Sequence, residues 1–177
     1  MISFRALALG MVLLLAPAAY ADPPPGFTFG PVIEHYGPVA NVADAALIPP
    51  NTHFKVVFDV SEAAEAGTVN RGLESAARFL NMHTRAGIPP ANINLAIVVR
   101  GGAVRDLTIH PRPGQDNPNA PLIAALIANH VDIYVCGQAA AHSNIGVGEL
   151  LPDVRLVLSA MTEFALLQQQ GYTLNPS

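Results

Sequence analysis

The chain contains little reactive sulfur and little charge. Its 177 residues include one cysteine and no tryptophan, and Asp, Glu, Lys and Arg together make up only 12% of them. A single cysteine excludes a disulfide within the chain. The formal net charge is −4, and no cluster of Lys or Arg is present. We therefore expect no nucleic-acid partner and no binding to anionic membranes.

The low share of charged residues also bears on assembly. Typical soluble domains carry about twice this proportion, which indicates that part of the surface is buried against other subunits. We therefore expect a homo-oligomer. The alternative is a monomer whose surface is covered by the Asn, Gln, Thr and Ala residues that the chain also contains.

The first 21 residues predict a secretory signal peptide. Arg5 precedes an apolar run over residues 6–16, Pro17 follows, and the Ala-Tyr-Ala of residues 19–21 is a small-x-small cleavage site. The apolar run is too short to span a bilayer. We expect cleavage after Ala21 and an exported protein, most naturally periplasmic, with no membrane attachment of the mature chain.

Proline separates the next segment from the remainder. Residues 22–52 contain seven prolines, which remove backbone donors and disfavour long helices and central strands. We expect an N-terminal arm over residues 22–52 that lies across its own domain or across a neighbouring subunit. The length of residues 53–177 suits a single domain.

Beyond residue 53, short apolar runs alternate with helical patterns. Strands are predicted at residues 54–60, 94–100, 131–136, 154–160 and 172–175. Helices are predicted within residues 68–87, after an Asn117-Pro118 cap, and from Ser159 to Gly171. Because the connections are too long for hairpins, this alternation predicts an α/β fold with a parallel sheet covered by helices on both faces.

The only cysteine, Cys136, ends the third predicted strand. Ligands of parallel α/β sheets bind beyond the carboxyl ends of the strands. Gly137 permits a tight turn, and residues Gln138 to His142 are expected to begin a helix. The unpaired N–H groups and dipole of a helix start favour the negatively charged, nucleophilic thiolate. A packed, inert cysteine and one paired between chains are the alternatives.

Other polar residues are predicted at the same edge of the sheet. Asp59, Arg100 and Arg105 lie at or just after strand ends, where the arginines could bind an anionic sulfur substrate or be ordinary surface residues. His142 follows Cys136 by six residues and is a candidate neighbour of the thiol. The other histidines lack the spacing of metal ligands, and the consecutive glycines Gly101 and Gly102 lack the spacing of a phosphate-binding loop. We therefore expect neither a metal nor a cofactor.

Several blocks of the sequence resemble the DsrE/DsrF-like family. They are FKVVFDV, NLAIVVRGGAV, DNPNAPLIAALIANHVDIYVCGQ and the final GVGELLPDVRLVLSAMTEFALLQQQGYTLNP. The resemblance implies a three-layer α/β/α domain with a mostly parallel five-stranded sheet, and homo-oligomers that are often trimers or hexamers. It also implies a cysteine, here Cys136, that carries sulfur as a persulfide. The Arg-Gly pair that many relatives have shortly after this cysteine is missing, since the chain reads AAAHSNIG there.

The sequence thus predicts an exported sulfur carrier, or a thiol-based sulfur-handling protein, with a persulfide on Cys136. Gly137, Gln138 and His142 are the further candidate site residues. A sulfur donor or acceptor protein, or a small sulfur compound, would be the partner. The alternatives are a non-catalytic oligomeric interaction module with a packed cysteine, and a redox-sensing thiol that forms a disulfide between subunits.

Overall fold

Five parallel strands form the main sheet of the computed structural model, which describes residues 22–176. In chain order the strands are β1 (Phe27–Thr28), β2 (Val39–Ala40), β3 (Phe54–Val60), β4 (Ile93–Val99), β5 (Asp132–Cys136), β6 (Arg155–Val157) and β7 (Thr173–Pro176). The main sheet has the order β6-β5-β4-β3-β7, and β1 pairs with β2 in a separate antiparallel ladder.

Helices connect the parallel strands. They are α1 (Arg71–Arg85), α2 (Ala120–Ala128), α3 (Gly137–His142) and α4 (Ala160–Gln169), with short 3-10 helices at Pro90–Asn92, Gly101–Leu107 and Val147–Glu149. Asn70 caps α1, because its side-chain oxygen accepts from the N–H groups of Gly72 and Leu73. Across the described residues, none of the helices is both long and apolar enough to cross a membrane.

Two hydrophobic clusters sandwich the sheet. The larger one includes Leu73 and Leu80 of α1 and Leu122 and Leu126 of α2, which pack against alternate residues of the strands. The smaller one, on the opposite face, joins α4 through Leu167 and other residues to β3, β4 and β5. The three-layer α/β/α fold with a five-stranded sheet is therefore confirmed, and every strand pair of this sheet is parallel.

Two predicted boundaries were wrong by more than one residue. The fourth predicted strand was drawn over residues 154–160, whereas β6 ends at Val157 because Ser159 already caps α4. Asn117 does not cap α2, since Asn119 occupies that position. The side chain of Asn117 instead binds the preceding loop, donating to the carbonyl oxygens of Asp106 and Thr108 at 2.8 and 2.6 Å.

Residues 28–39 of the N-terminal segment lie against α1, and polar side chains of that helix hold them. Asn81, which is fully buried, accepts from the N–H groups of Val32 and Ile33 and donates to three carbonyl oxygens of the segment. Arg85 donates to four further carbonyl oxygens in residues 28–39. These side chains thus provide hydrogen-bond partners for backbone groups of the segment. The boundary at residue 52 stays a prediction, and the predicted signal peptide lies outside the described residues.

Candidate functional site at Cys136

Cys136 is the last residue of β5 and the residue immediately before α3. Its backbone is extended, and only 7% of the residue is exposed. It lies on the face of the sheet that α4 covers, in the smaller hydrophobic cluster with Val98 and Ala160. The thiol therefore lies at the carboxyl edge of the sheet but beneath the beginning of α4.

Gly137 brings α3 into close contact with the neighbouring strand. A Cβ at this position would lie 2.5 Å from the carbonyl oxygen of Val157 and 3.2 Å from that of Leu158. Any side chain would therefore collide with the end of β6. The requirement for glycine is one of space, and it sets how close Cys136 comes to the beginning of α4.

An open groove with a volume of about 660 Å³ exposes this region to solvent. Three segments line it, one after each of three adjacent strands. The lining residues are Arg100, Gly101 and Gly102 after β4, Cys136, Gln138, Ala139, His142 and Ser143 at the end of β5 and beyond, and Ser159, Ala160 and Met161 after β6. Gln138 spans two walls, because its Nε2 donates to the carbonyl oxygen of Leu158 at 3.4 Å.

Arg100 and Asp59 form a bidentate ion pair at the edge of the groove. The Nε and Nη2 of Arg100 donate to the two carboxylate oxygens of Asp59 at 2.8 and 2.7 Å. This hydrogen bonding raises the pKa of Arg100 above its ordinary value against the opposing effect of burial, and electrostatic interaction with Cys136 adds to it. The guanidinium has five N–H groups, so three are left over, and no hydrogen bond within the described residues involves them.

The first turn of α4 forms another wall of the groove. The Oγ of Ser159 accepts from the N–H of Thr162 at 3.1 Å, as expected for a helix N-cap. The N–H groups of Ala160 and Met161 begin the helix and have no intrahelical partner. The positive end of the α4 dipole therefore lies beside Cys136.

The predicted site residues come together only in part. Gln138 and His142 are both exposed and line the groove with Cys136, while Gly137 provides the close packing described above. Arg105 lies outside the lining, although its Nη2 donates to the carbonyl oxygen of Ser143 at 3.4 Å.

Sequence reasoning missed the third wall, formed by Ser159, Ala160 and Met161. A signal for it was present, because parallel strands end at one edge, so residues after β6 must lie beside residues after β5. The prediction of strand as far as residue 160 concealed it.

A buried polar network supports the loops at this edge of the sheet. The carboxylate of Asp106 accepts from the N–H of Ala64 at 2.8 Å and from the side-chain amide of Asn70 at 2.7 Å. Asn119 in turn accepts from the N–H of Asn70 at 2.7 Å. Three loops are therefore tied together, including the 3-10 helix that begins with the groove residue Gly101. Asp106 and the two asparagines were not singled out from the sequence.

A second cluster of titratable groups lies on the same face but away from the groove. Arg155 forms an ion pair with Asp132 at 2.6 Å and lies over the ring of Tyr134. Burial raises the pKa of Glu163 and of Tyr134, and the charge of Arg155 partly offsets both shifts. Among residues 22–176, no group of three or more His, Cys, Asp or Glu side chains is arranged to hold a metal ion.

Comparison with known proteins identifies the family. The model of the DsrE/DsrF-like family matches residues 55–176, which is more than half of the chain. The chain belongs to this family. Membership indicates, in general terms, a role in sulfur relay. No curated protein matches the sequence.

Two solved structures share the fold of this DsrE-like chain. One is MTH1491 of Methanobacterium thermoautotrophicum, a protein of unknown function, with 18% identity and a TM-score of 0.55. The other is the ychN protein of E. coli, with 16% identity and a TM-score of 0.53. Each comparison covers 70% of this chain and 99% of the other. At these identities the likeness concerns the fold alone.

Proposed function

We propose that this protein handles sulfane sulfur through a persulfide on Cys136, as a carrier that accepts sulfur and passes it on. The observation that carries the proposal is the position of Cys136 at an open groove beside Arg100 and the first turn of α4. Both neighbours favour a negatively charged sulfur. Family membership supports the same chemistry in general terms.

The chemical step is attack of the Cys136 thiolate on the outer sulfur of a donor. A new S–S bond forms to Cys136, the donor S–S bond breaks, and its electron pair leaves with the donor. The product is a persulfide whose terminal sulfur is again an anion at neutral pH. Donors of this kind are small sulfur compounds such as polysulfide, or a cysteine persulfide on a partner protein.

Intact mass spectrometry before and after exposure to polysulfide tests the proposal. We expect mass increments of one or more sulfur atoms, removal of these by a reductant, and none in Cys136→Ser. Alkylation with iodoacetamide provides the accessibility control, measured on folded and on urea-unfolded protein. A Cys136 that reacts with neither reagent until the protein unfolds would contradict the proposal.

The second candidate is a non-catalytic interaction module in which the cysteine is only packed. The observation in its favour is that Cys136 is 93% buried and contacts the apolar cluster beneath α4. A buried thiol without a reactive role behaves as a small apolar side chain. Under this reading Cys136→Ala leaves partner binding unchanged, and the thiol resists both reagents in the folded protein.

Export and assembly complete the proposal. We propose that the chain is exported to the periplasm with cleavage after Ala21, and that it forms a homo-oligomer, a trimer or a hexamer. N-terminal sequencing of protein from the exported fraction is expected to begin at Asp22. A mature chain that still begins at Met1 would rule out this processing. The signal-peptide pattern of residues 1–21 supports export, and the low share of charged residues supports assembly.

A further inference from the structure

We infer that Arg100 is the residue that selects the sulfur donor, and that the donor is a small organic anion of the thiosulfonate class. This inference rests on the proposed sulfur chemistry of Cys136 and specifies its substrate. A thiosulfonate anion combines an apolar substituent, sulfonyl oxygens that share its negative charge, and an outer sulfur that a thiolate can attack. The groove has a feature suited to each of these parts.

The charge of the donor matches Arg100. The ion pair with Asp59 uses the Nε–H and one Nη2–H of the guanidinium, so its plane is fixed while three N–H groups are left. The side chain of Arg100 is 44% exposed and lines the groove. A planar guanidinium presents its N–H groups at the spacing of two oxygens of an oxyanion. Arg100 is therefore oriented to bind sulfonyl oxygens next to Cys136.

The rest of the groove matches an apolar substituent. Ala139, Ala160 and Met161 contribute apolar atoms to the lining of the groove, and Met161 is 81% exposed. No other lining residue carries a permanent charge. A small dianion such as thiosulfate would leave this surface uncovered and would meet a cation that Asp59 already balances in part. An organic monoanion covers the apolar wall and needs only one cationic partner.

The transfer balances without any further reactant. The Cys136 thiolate attacks the outer sulfur of R–SO2–S⁻, a Cys136–S–S⁻ persulfide forms, and the bond between the outer sulfur and the sulfonyl sulfur breaks. Its electron pair leaves with the sulfinate R–SO2⁻. One thiolate and one thiosulfonate give one persulfide anion and one sulfinate, so the charge is unchanged. Negative charge grows on the sulfonyl oxygens during the step, where Arg100 would bind them.

The test measures the rate at which Cys136 gains one sulfur atom from benzenethiosulfonate, methanethiosulfonate or thiosulfate. Each rate is divided by that of the urea-unfolded protein, which removes differences in intrinsic reactivity. We expect the normalised rate to decrease in the order given. We expect Arg100→Gln to lower the rate of sulfur transfer from benzenethiosulfonate by about 10- to 100-fold, the range for a lost hydrogen bond to a charged group. Arg100→Lys, which keeps the charge but not the planar fork, should retain part of the rate.

A neutral reagent and a second arginine supply the controls. Methyl methanethiosulfonate transfers an uncharged group to the same thiol, and its rate should change no more than about threefold in Arg100→Gln, as expected for a solvated charge nearby. Arg105→Gln removes a positive charge outside the groove lining and should have a similarly small effect on benzenethiosulfonate. A general loss of structure would instead expose the buried thiol and speed its reaction with the neutral reagent.

The outcomes separate the inference from the function on which it rests. If polysulfide adds sulfur to Cys136 while benzenethiosulfonate does not, the donor assignment is wrong and the carrier function stands. The same conclusion follows if Arg100→Gln slows the reactions with benzenethiosulfonate and with methyl methanethiosulfonate equally. A thiosulfate rate above that of benzenethiosulfonate also overturns it. If no donor modifies Cys136 in the folded protein, the carrier function fails, and the donor assignment fails with it.

Discussion

A Cβ atom on Gly137 would lie 2.5 Å from the carbonyl oxygen of Val157, at the point where β5, β6 and α3 meet. The backbone of Gly137 has no positive φ, so the glycine is needed for space and not for conformation. The beginning of α3 and the end of β6 are both rigid backbone. A side chain at this position therefore has to move Cys136 or the first turn of α4.

Gly137→Ala is expected to destabilise the protein by about 1–3 kcal/mol, the usual cost of an added methyl group in a close-packed region. It should also widen the groove and make Cys136 react faster with iodoacetamide. Urea denaturation and alkylation rates measure the two effects. Gly148→Ala is the matched control, because a Cβ at Gly148 has no atom within 4 Å. Equal stabilities of the two variants would show that the backbone at Gly137 can move freely.

Asn81 is expected to be the main attachment of residues 22–52. Its substitution by alanine removes five hydrogen bonds to that segment: two from the N–H groups of Val32 and Ile33, and three to backbone carbonyl oxygens. Each unsatisfied buried group costs about 1–3 kcal/mol unless it becomes solvated. The segment should therefore detach from α1 before the domain unfolds.

Limited proteolysis measures this detachment. We expect Asn81→Ala to be cleaved within residues 22–52 at protease concentrations that leave the natural protein intact, while urea denaturation of the domain shifts less. Asn94→Ala is the control, because Asn94 is exposed and makes one long side-chain hydrogen bond of 3.4 Å. If both variants resist cleavage alike, Asn81 does not hold the segment.

The sequence predicted the fold better than it predicted the site. Strand β3 was predicted residue for residue, because FKVVFDV is a buried, β-branched run with turn signals on both sides. The helix predicted from Ser159 was also correct, and Ser159 caps it. Local patterns determine such features. The groove was not predictable in the same way, since its third wall depends on β6 lying next to β5, a relationship between residues that are 21 positions apart.

The interactions of individual polar residues were least predictable. Arg100 and Asp59 could be placed at the same edge of the sheet from the strand ends alone. Their bidentate pairing depends on the register in which Asp59 lies opposite Val98 on the adjacent strand. A sequence does not fix that register until the turns on both sides are known. The same reason explains why Asp106 and its asparagine partners were not identified.

Exposed apolar side chains near β6 and α4 lead to a prediction about assembly. Leu156 is 45% exposed and Leu158 is 71% exposed, and they lie two positions apart, in β6 and directly after it. Contiguous apolar surface of this kind is commonly covered in soluble proteins. We expect Leu158→Glu to reduce the mass of the particle measured by light scattering after size exclusion.

The control for assembly is Met82→Glu, which places the same charge on α1, on the other face of the sheet. That variant should keep the particle mass of the natural protein. A natural protein that is monomeric at tens of micromolar would contradict the proposal of a homo-oligomer. A particle mass lowered by Met82→Glu and not by Leu158→Glu would place the interface on α1 instead.

Glu163 leads to a prediction about pH. It is 91% buried, and burial raises the pKa of its carboxyl above the ordinary value. The positive charge of Arg155 lowers this pKa, and the negative charge of Asp132 raises it further. An acid whose pKa is higher in the folded state binds its proton more strongly there than in the unfolded chain. Its favourable contribution is complete below the unfolded pKa and is lost as the pH rises through the folded pKa.

The ionised Glu163 therefore opposes folding at neutral pH, and Glu163→Gln should be more stable than the natural protein there. The difference should decrease as the pH falls through the range where the carboxyl becomes protonated. Urea denaturation at a series of pH values measures the difference between the two proteins, so the titration of all other groups cancels. Glu65→Gln, at an exposed position, should show no such trend. A Glu163→Gln variant that is less stable at neutral pH would mean that attraction to Arg155 outweighs the cost of burial.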